Sequence, residues 1–275
     1  MNFCKPSTLL LFVLLCGGCN FSLVPLVETS HLLDEPVAPR IPIYLGTVNG
    51  SITVKEAPAD IEWNVVRIET TTKCVTQERC NQTQIIRNRE NGTFAIKVRW
   101  PDNKRKNREG CDFVITIPHA QSNGVHLRSS NGQITIEGLS GPADLQTSNG
   151  PIKVQRHTGS IKAHTSNGHM EFTNVSGDVD AQTSNGKIEL TQSETAEGTV
   201  NLKSSNGGID FGFGDKFSGK IKLHTSNGSL NIKHVPENAT IQPSGKTDTV
   251  IHFGDSDKVS TITTSNGSIT LNSAY

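Results

Sequence analysis

A Ser or Thr followed by Ser-Asn-Gly recurs through the second half of this 275-residue chain, closing at Gly132, Gly150, Gly168, Gly186, Gly207, Gly228 and Gly267. The central residues are Asn131, Asn149, Asn167, Asn185, Asn206, Asn227 and Asn266, separated by steps of 18, 18, 18, 21, 21 and 39. The last step reads as 18 plus 21, with a degenerate copy at Ser244-Gly245. A fixed period near 20 is the signature of a stacked repeat array, so it constrains the fold more than any other feature.

The apolar pattern is as regular as the turn. Three residues after each Asn stand Ile134, Ile152, Met170, Ile188, Ile209, Leu230 and Ile269, and five after stand Ile136, Val154, Phe172, Leu190, Phe211, Ile232 and Leu271. Alternation at period two marks strands with one buried face. Asn-Gly is expected to supply two positive-φ positions between them. A second turn falls midway, at Gly141, Gly159, Gly177, Gly198 and Gly219, and the three-residue insertions before the last two lengthen only that side. Each repeat is therefore two short strands and two turns. A parallel β-solenoid, one coil per repeat, closes the apolar face on itself. An antiparallel β-meander is the alternative, and would leave that face uncovered.

In the solenoid the Thr before each Ser-Asn-Gly points inward and the Ser outward. An inward Asn ladder bonds through side-chain amides, so structure explains the motif without a ligand.

Met1 to Gly18 reads as a signal peptide, with an apolar run from Leu9 to Leu15 too short to span a bilayer. It ends in Leu15-Cys16-Gly17-Gly18-Cys19, which resembles the bacterial lipobox; the resemblance implies acylation of Cys19 and a membrane anchor. Asn20 after that Cys implies outer-membrane sorting if the source is Gram-negative. Residues 19–42, with Pro25, Pro36, Pro39 and Pro42, read as a tether. Residues 43–118 read as an irregular β section covering one end of the 119–275 stack. Its strands are Ser51 to Val54, Val65 to Glu69, Phe94 to Val98 and Phe113 to Pro118.

The opening Asn49-Gly50-Ser51-Ile52, the Ile115-Thr116-Ile117-Pro118 strand and the serial Ser-Asn-Gly turns together resemble a bacterial candidate-adhesin domain family, largely of unknown function, found in envelope-associated proteins. The likeness covers about residues 45 to 275. It implies a β-solenoid-like fold and carries no catalytic residues over.

Zero formal net charge removes the long-range attraction that nucleic-acid binding needs. The 33% hydrophobic and 5% aromatic content suits thin coils. Beyond the leader and Cys19, the cysteines are Cys74, Cys80 and Cys111. Export permits disulfides, and Cys74 with Cys80 is the first expectation because the loop is short. Their spacing is a poor zinc signal, and no metal or cofactor is expected.

Glu171, Glu189 and Asp210 follow successive Asn residues by four and face outward, stacking about 4.8 Å apart in a solenoid. Such a row can take a cation or a glycan; the alternative is a solvated row balanced by Lys162 and Lys187. His164 and His224 share a repeat position and read as surface decoration. Lys104, Arg105, Lys106 and Arg108 read as a solvated basic loop. No nucleophile-base set or phosphate loop stands out. The expectation is a non-enzymatic envelope lipoprotein, an adhesin-like binding or structural module with glycan or an envelope protein as partner. A polysaccharide lyase or hydrolase working through Glu171, Glu189 or Asp210 is the alternative. The last repeat strand, ending near Leu271, is expected to leave an open edge that self-associates.

Overall fold

A computed structural model describes residues 25–36, 41–58, 65–90, 92–118, 124–237 and 239–274. The leader and Cys19 lie outside these residues. The first section holds β1 (Val27–Pro36), β2 (Ile43–Gly46), β3 (Ile52–Glu56), β4 (Val65–Cys74), α1 (Gln77–Gln82), β5 (Gln84–Glu90), β6 (Thr93–Arg99) and β7 (Gly110–Ile117). The repeats follow as β8 (Val125–Arg128), β9 (Ile134–Glu137), β10 (Ala143–Gln146), β11 (Ile152–Thr158), β12 (Ile161–Thr165), β13 (Met170–Ser176), β14 (Val179–Thr183), β15 (Ile188–Gln192), β16 (Val200–Ser204) and β17 (Ile209–Phe213). The last section comprises β18 (Gly219–Thr225), β19 (Leu230–Ile232), β20 (Thr240–Pro243), β21 (Asp248–Phe253), β22 (Val259–Thr264) and β23 (Ile269–Ser273).

From β7 to β19 successive strands alternate between two sheets, so each repeat is one coil of a parallel β-solenoid. One sheet runs β1-β4-β7-β3-β9-β11-β13-β15-β17-β23-β19 and the other β20-β21-β18-β22-β16-β14-β12-β10-β8-β2-β6-β5. The antiparallel meander is thereby excluded for the repeats, whose like positions pair in parallel: Ile152 with Met170, Met170 with Ile188, Ile188 with Ile209. These residues are 0% exposed. Each contributes about 1.5–3 kcal/mol by leaving water.

The Asn-Gly corners superpose, for a reason other than turn conformation. None of the seven Asn residues, and none of the glycines after them, has positive φ. The glycines are required because the coils touch there: a Cβ on Gly168 would overlap the carbonyl oxygen of Gly150, and one on Gly186 that of Gly168. Left-handed backbone is found instead at the second corner, with φ of 88° at Gly141 and 110° at Gly177.

Two hydrogen-bond ladders hold the corner. The inner one is hydroxyl: Thr165 Oγ1 accepts from Gly168 N (3.1 Å) and donates to Gly150 O (3.2 Å). Thr183 repeats this with Gly186 N and Gly168 O. The outer one is amide. Asn131 donates to Asn49, Asn149 to Asn131, Asn167 to Asn149, Asn185 to Asn167 and Asn206 to Asn185, at 2.7–2.8 Å. The ladder forms, but its asparagines from Asn131 onward are exposed at the corner rather than inward.

Sequence order and spatial order part at both ends. β22 lies between β16 and β18, and β23 between β17 and β19, so the final coil fills a gap left earlier in the chain. Asn266 accordingly donates to Asn206 and accepts from Asn227. The open edge expected at the C-terminal strand is not there, because β23 is paired on both sides. The edge at that end of the sheet is β19, only three residues long, and short edge strands resist lateral pairing. Ser244-Gly245 is not a degenerate coil corner either: it turns the antiparallel hairpin β20–β21 that covers this end. The first coil is also interior, with β2 between β6 and β8 and β3 between β7 and β9.

The tether expected over 19–42 is in part a strand. Residues 27–36 form β1, antiparallel to β4, because Val27, Thr29, Leu33 and Glu35 alternate inward between the flanking prolines.

Among the described residues, one of the buried side chains without a hydrogen-bond partner is a histidine. Arg156 adopts φ of 51°, which slips the alternation of β11 and turns His157 inward to 1% exposure. Neither ring nitrogen has a hydrogen-bond partner. Burial pushes its pKa below the ordinary 6.5, offset in part by the main chain of Gly141, Leu139 and Ser160. The unfolded chain binds this proton near pH 6.5 while the folded chain resists it, so stability falls as pH drops below that value. Val175 occupies the same position one coil on. His157→Val should therefore raise the melting temperature more at pH 5 than at pH 8; equal shifts at both pH values would show that the ring does not contribute.

Candidate functional site

The outward column predicted from the repeat is present. Glu171 on β13 pairs with Glu189 on β15, which pairs with Asp210 on β17. Thr270 on β23 follows Asp210, and Lys153 on β11 precedes Glu171. The three carboxylates sit one strand spacing apart, about 4.8 Å. They are already engaged by bases. Lys153 Nζ lies 3.2 Å from Glu171, Lys187 Nζ lies 2.6 Å from Asp210 and also binds Glu189, and His169 Nε2 lies 3.4 Å from Glu189. The carboxylates of Asp210 and Glu189 hold the Lys187 ammonium above the ordinary lysine range. Lys162, expected to balance this row, is instead on the opposite sheet, on β12. These pairs are half-exposed, and each contributes about 0–1 kcal/mol.

A groove of about 450 Å³ lies over the column. Thr173, Thr191 and Gly212 line it along the next outward row, and Asn272 and Ala274 line it at the β23 side. Ala274 and Thr191 close over Gly212, where an added Cβ would lie 3.3 Å from the Ala274 Cβ and 3.6 Å from Thr191 Oγ1. These residues were not singled out from the sequence, although they stand two places beyond the carboxylates on the same parity. The Lys ammonium groups occupy oxygens that a cation would need. Among the described residues, no group of three or more His, Cys, Asp or Glu side chains is arranged to hold a metal ion.

The remaining candidates are dispersed. His164 is on β12 and His224 on β18, four strands apart in the sheet. His224 Nδ1 is 2.7 Å from Asp248. Cys74, Cys80 and Cys111 are buried thiols, and the Cys74 thiol lies beside that of Cys80, its expected partner. Cys80 lies on α1, its thiol directed at the carbonyls of Val27 and Thr72. Burial pushes the Cys74 and Cys111 thiols up to about 12, far from reactive thiolate. The basic loop wraps a buried carboxylate: Glu109, 0% exposed, accepts from Arg79 and from Lys106 N, while Arg105 donates to the Glu109 carbonyl. No helix among the described residues is long and apolar enough to cross a membrane.

A family model described as Toastrack DUF4097 matches residues 43–272. No curated protein matches the chain. Among solved structures, the chain is similar to a candidate cell adhesion protein from Clostridium sporogenes ATCC 15579, at 11% identity over 90% of this chain and 99% of that one (TM-score 0.38). It is similar to a candidate adhesin from Bacteroides fragilis NCTC 9343, at 13% identity over 88% and 96% (TM-score 0.44). A third, a candidate adhesin from Parabacteroides distasonis ATCC 8503, has 13% identity over 89% and 97% (TM-score 0.41).

Proposed function

The chain belongs to the Toastrack DUF4097 family, and from that premise we propose that it is a non-enzymatic, adhesin-like binding or structural module of the cell envelope. It is exported and held to the membrane through lipidated Cys19, on the outer membrane in a Gram-negative source, and meets a glycan or an envelope protein.

The observation that supports this best is the state of the carboxylate column. Hydrolysis of a glycosidic bond needs two carboxyl groups in different environments, one kept protonated as the acid. Glu171, Glu189 and Asp210 instead share one environment: each is half-exposed and paired to a lysine. The row is a set of matched ion pairs, not two carboxyls set apart for acid and nucleophile roles. The competing reading, a polysaccharide-active β-helix enzyme working through these residues, is favoured only by the groove above them.

One experiment addresses both parts. The full chain, a Cys19→Ser form and a Glu171→Ala/Glu189→Ala/Asp210→Ala form are fractionated with membranes and then assayed for release of reducing ends from a polysaccharide panel. The parent should sediment with membranes, Cys19→Ser should not, and none should cleave glycan. Cleavage by the parent that is lost in the triple variant would establish the enzyme.

A further inference from the structure

The opposite sheet carries an aromatic stack that the repeat pattern does not announce. Tyr44 on β2 and His126 on β8 are in register, and their rings lie 4.2 Å apart at an interplanar angle of 10°. Tyr44 is 40% exposed and is the one aromatic among the exposed large apolar side chains described. Beyond His126, Asp144 on β10 takes the next place, its Oδ2 3.4 Å from His126 Nδ1.

His126 covers one face of the tyrosine ring. The place on its other side belongs to Ala95 on β6, the residue paired with Tyr44 there. Ala95 projects only a methyl group, so the stack stops one ring short. Asn88 on β5, which pairs with Ala95, is exposed at the far side of that place, and Lys97 is exposed two residues along β6. The result is a space one ring wide, with an aromatic wall, a methyl floor and polar rims.

The surroundings decide what fills it. Away from the space the outward row continues as His126, Asp144, Lys162, Asp180 and Asn201, beside a groove of about 390 Å³. Charges of both signs alternate along it, so a polyanion gains no net attraction. Nor does the row extend the apolar surface that an amphipathic helix would need. A sugar ring has the matching chemistry: an apolar face of C–H groups for the tyrosine, and hydroxyls that both donate and accept at the rim.

We propose that this face binds a neutral glycan chain, one pyranose stacking on Tyr44 above Ala95, its hydroxyls bonding Asn88 and Lys97, with further sugars over Asp144 and Lys162. This rests on the binding-module reading and places the ligand on the sheet opposite the carboxylate groove.

The test is calorimetric titration of the full chain with neutral hexasaccharides (cello-, laminari-, manno- and chitohexaose), with polygalacturonate and with an aromatic-rich peptide. At least one neutral hexasaccharide should bind. Tyr44→Ala should weaken it by about tenfold or more, as loss of a buried aromatic contact does. Tyr44→Phe should retain it, and Ala95→Leu, which fills the space, should block it. Glu171→Ala/Glu189→Ala/Asp210→Ala should bind as the parent does. Unchanged affinity in Tyr44→Ala, loss only in the triple variant, or binding of the peptide or polygalacturonate alone would each overturn this site while leaving a binding module in place. Cleavage of the hexasaccharide would overturn the module reading itself.

Discussion

Gly168→Ala should destabilise the chain by about 4 kcal/mol or more, beyond the ordinary range for a single substitution. The added methyl falls on the Gly150 carbonyl, and on Thr165 Oγ1 behind it. Neither can yield cheaply. The Gly150 carbonyl accepts the Thr165 hydroxyl, and that hydroxyl in turn accepts Gly168 N. Moving the coil away would break the Thr165–Gly150 bond and separate Asn167 from Asn149. Each buried donor or acceptor left unpaired costs about 1–3 kcal/mol. Gly46→Ala is the control: nothing lies within 4 Å of its added carbon and its φ is ordinary, so it should change stability by no more than about 0.5 kcal/mol. Urea unfolding of the two variants beside the parent decides the matter. A Gly168→Ala midpoint close to that of Gly46→Ala would show that the corners do not bear on one another.

That prediction turns on a point the sequence expressed misleadingly. Asn-Gly is the common signal for a tight hairpin, and by local chemistry the glycine is there for its positive φ. The reason is non-local: the adjacent coil stands where a side chain would be. Strand parity after each Asn-Gly corner, by contrast, was legible, because Ile134, Val154, Phe172 and Leu190 alternate with polar residues, and burial follows alternation there. The parity slips at Arg156 and Asn174 were not legible, since a left-handed non-glycine residue leaves no mark in composition. Coil order was also hidden. Identical corners offer identical partners, so nothing in Thr264-Ser265-Asn266-Gly267 says that it inserts between the Gly207 and Gly228 corners instead of following Gly228. The 39-residue step held the clue: it contains the antiparallel hairpin β20–β21 and the return path, not a worn repeat. Of the candidate sites, the carboxylate column followed from period and parity alone. The Tyr44–His126 stack did not, because those residues are 82 apart and meet only through the inserted first coil.

The other large effect belongs to the N-terminal cap. Arg79→Leu should destabilise the chain by about 3–5 kcal/mol, the usual consequence of leaving a buried charge without its partner. Glu109 has no exposed surface, and accepts from Arg79 Nε (2.7 Å), Arg79 Nη2 (2.9 Å), Lys106 N (2.8 Å) and Val75 N (3.4 Å). Its carbonyl accepts from Asn49, the first rung of the amide ladder, so the pair ties α1 and the basic loop to the corner of the stack. The Arg79 guanidinium, with those main-chain donors, holds the Glu109 carboxyl down to about 2 against an ordinary 4.5. A carboxyl depressed in the folded state stabilises it above pH 4.5, and that contribution drains away as pH falls from 4.5 towards 2. In Arg79→Leu the carboxylate stays buried without its cation, so protonation relieves the variant where it harms the parent. The gap between the two should accordingly be widest at pH 7 and narrow by pH 3.5 in urea titrations. Arg79→Leu/Glu109→Leu, which removes both charges together, should recover much of the loss at pH 7. A gap that is the same at both pH values, or a double variant no better than the single, would mean that the helix is held by its packing and not by the ion pair.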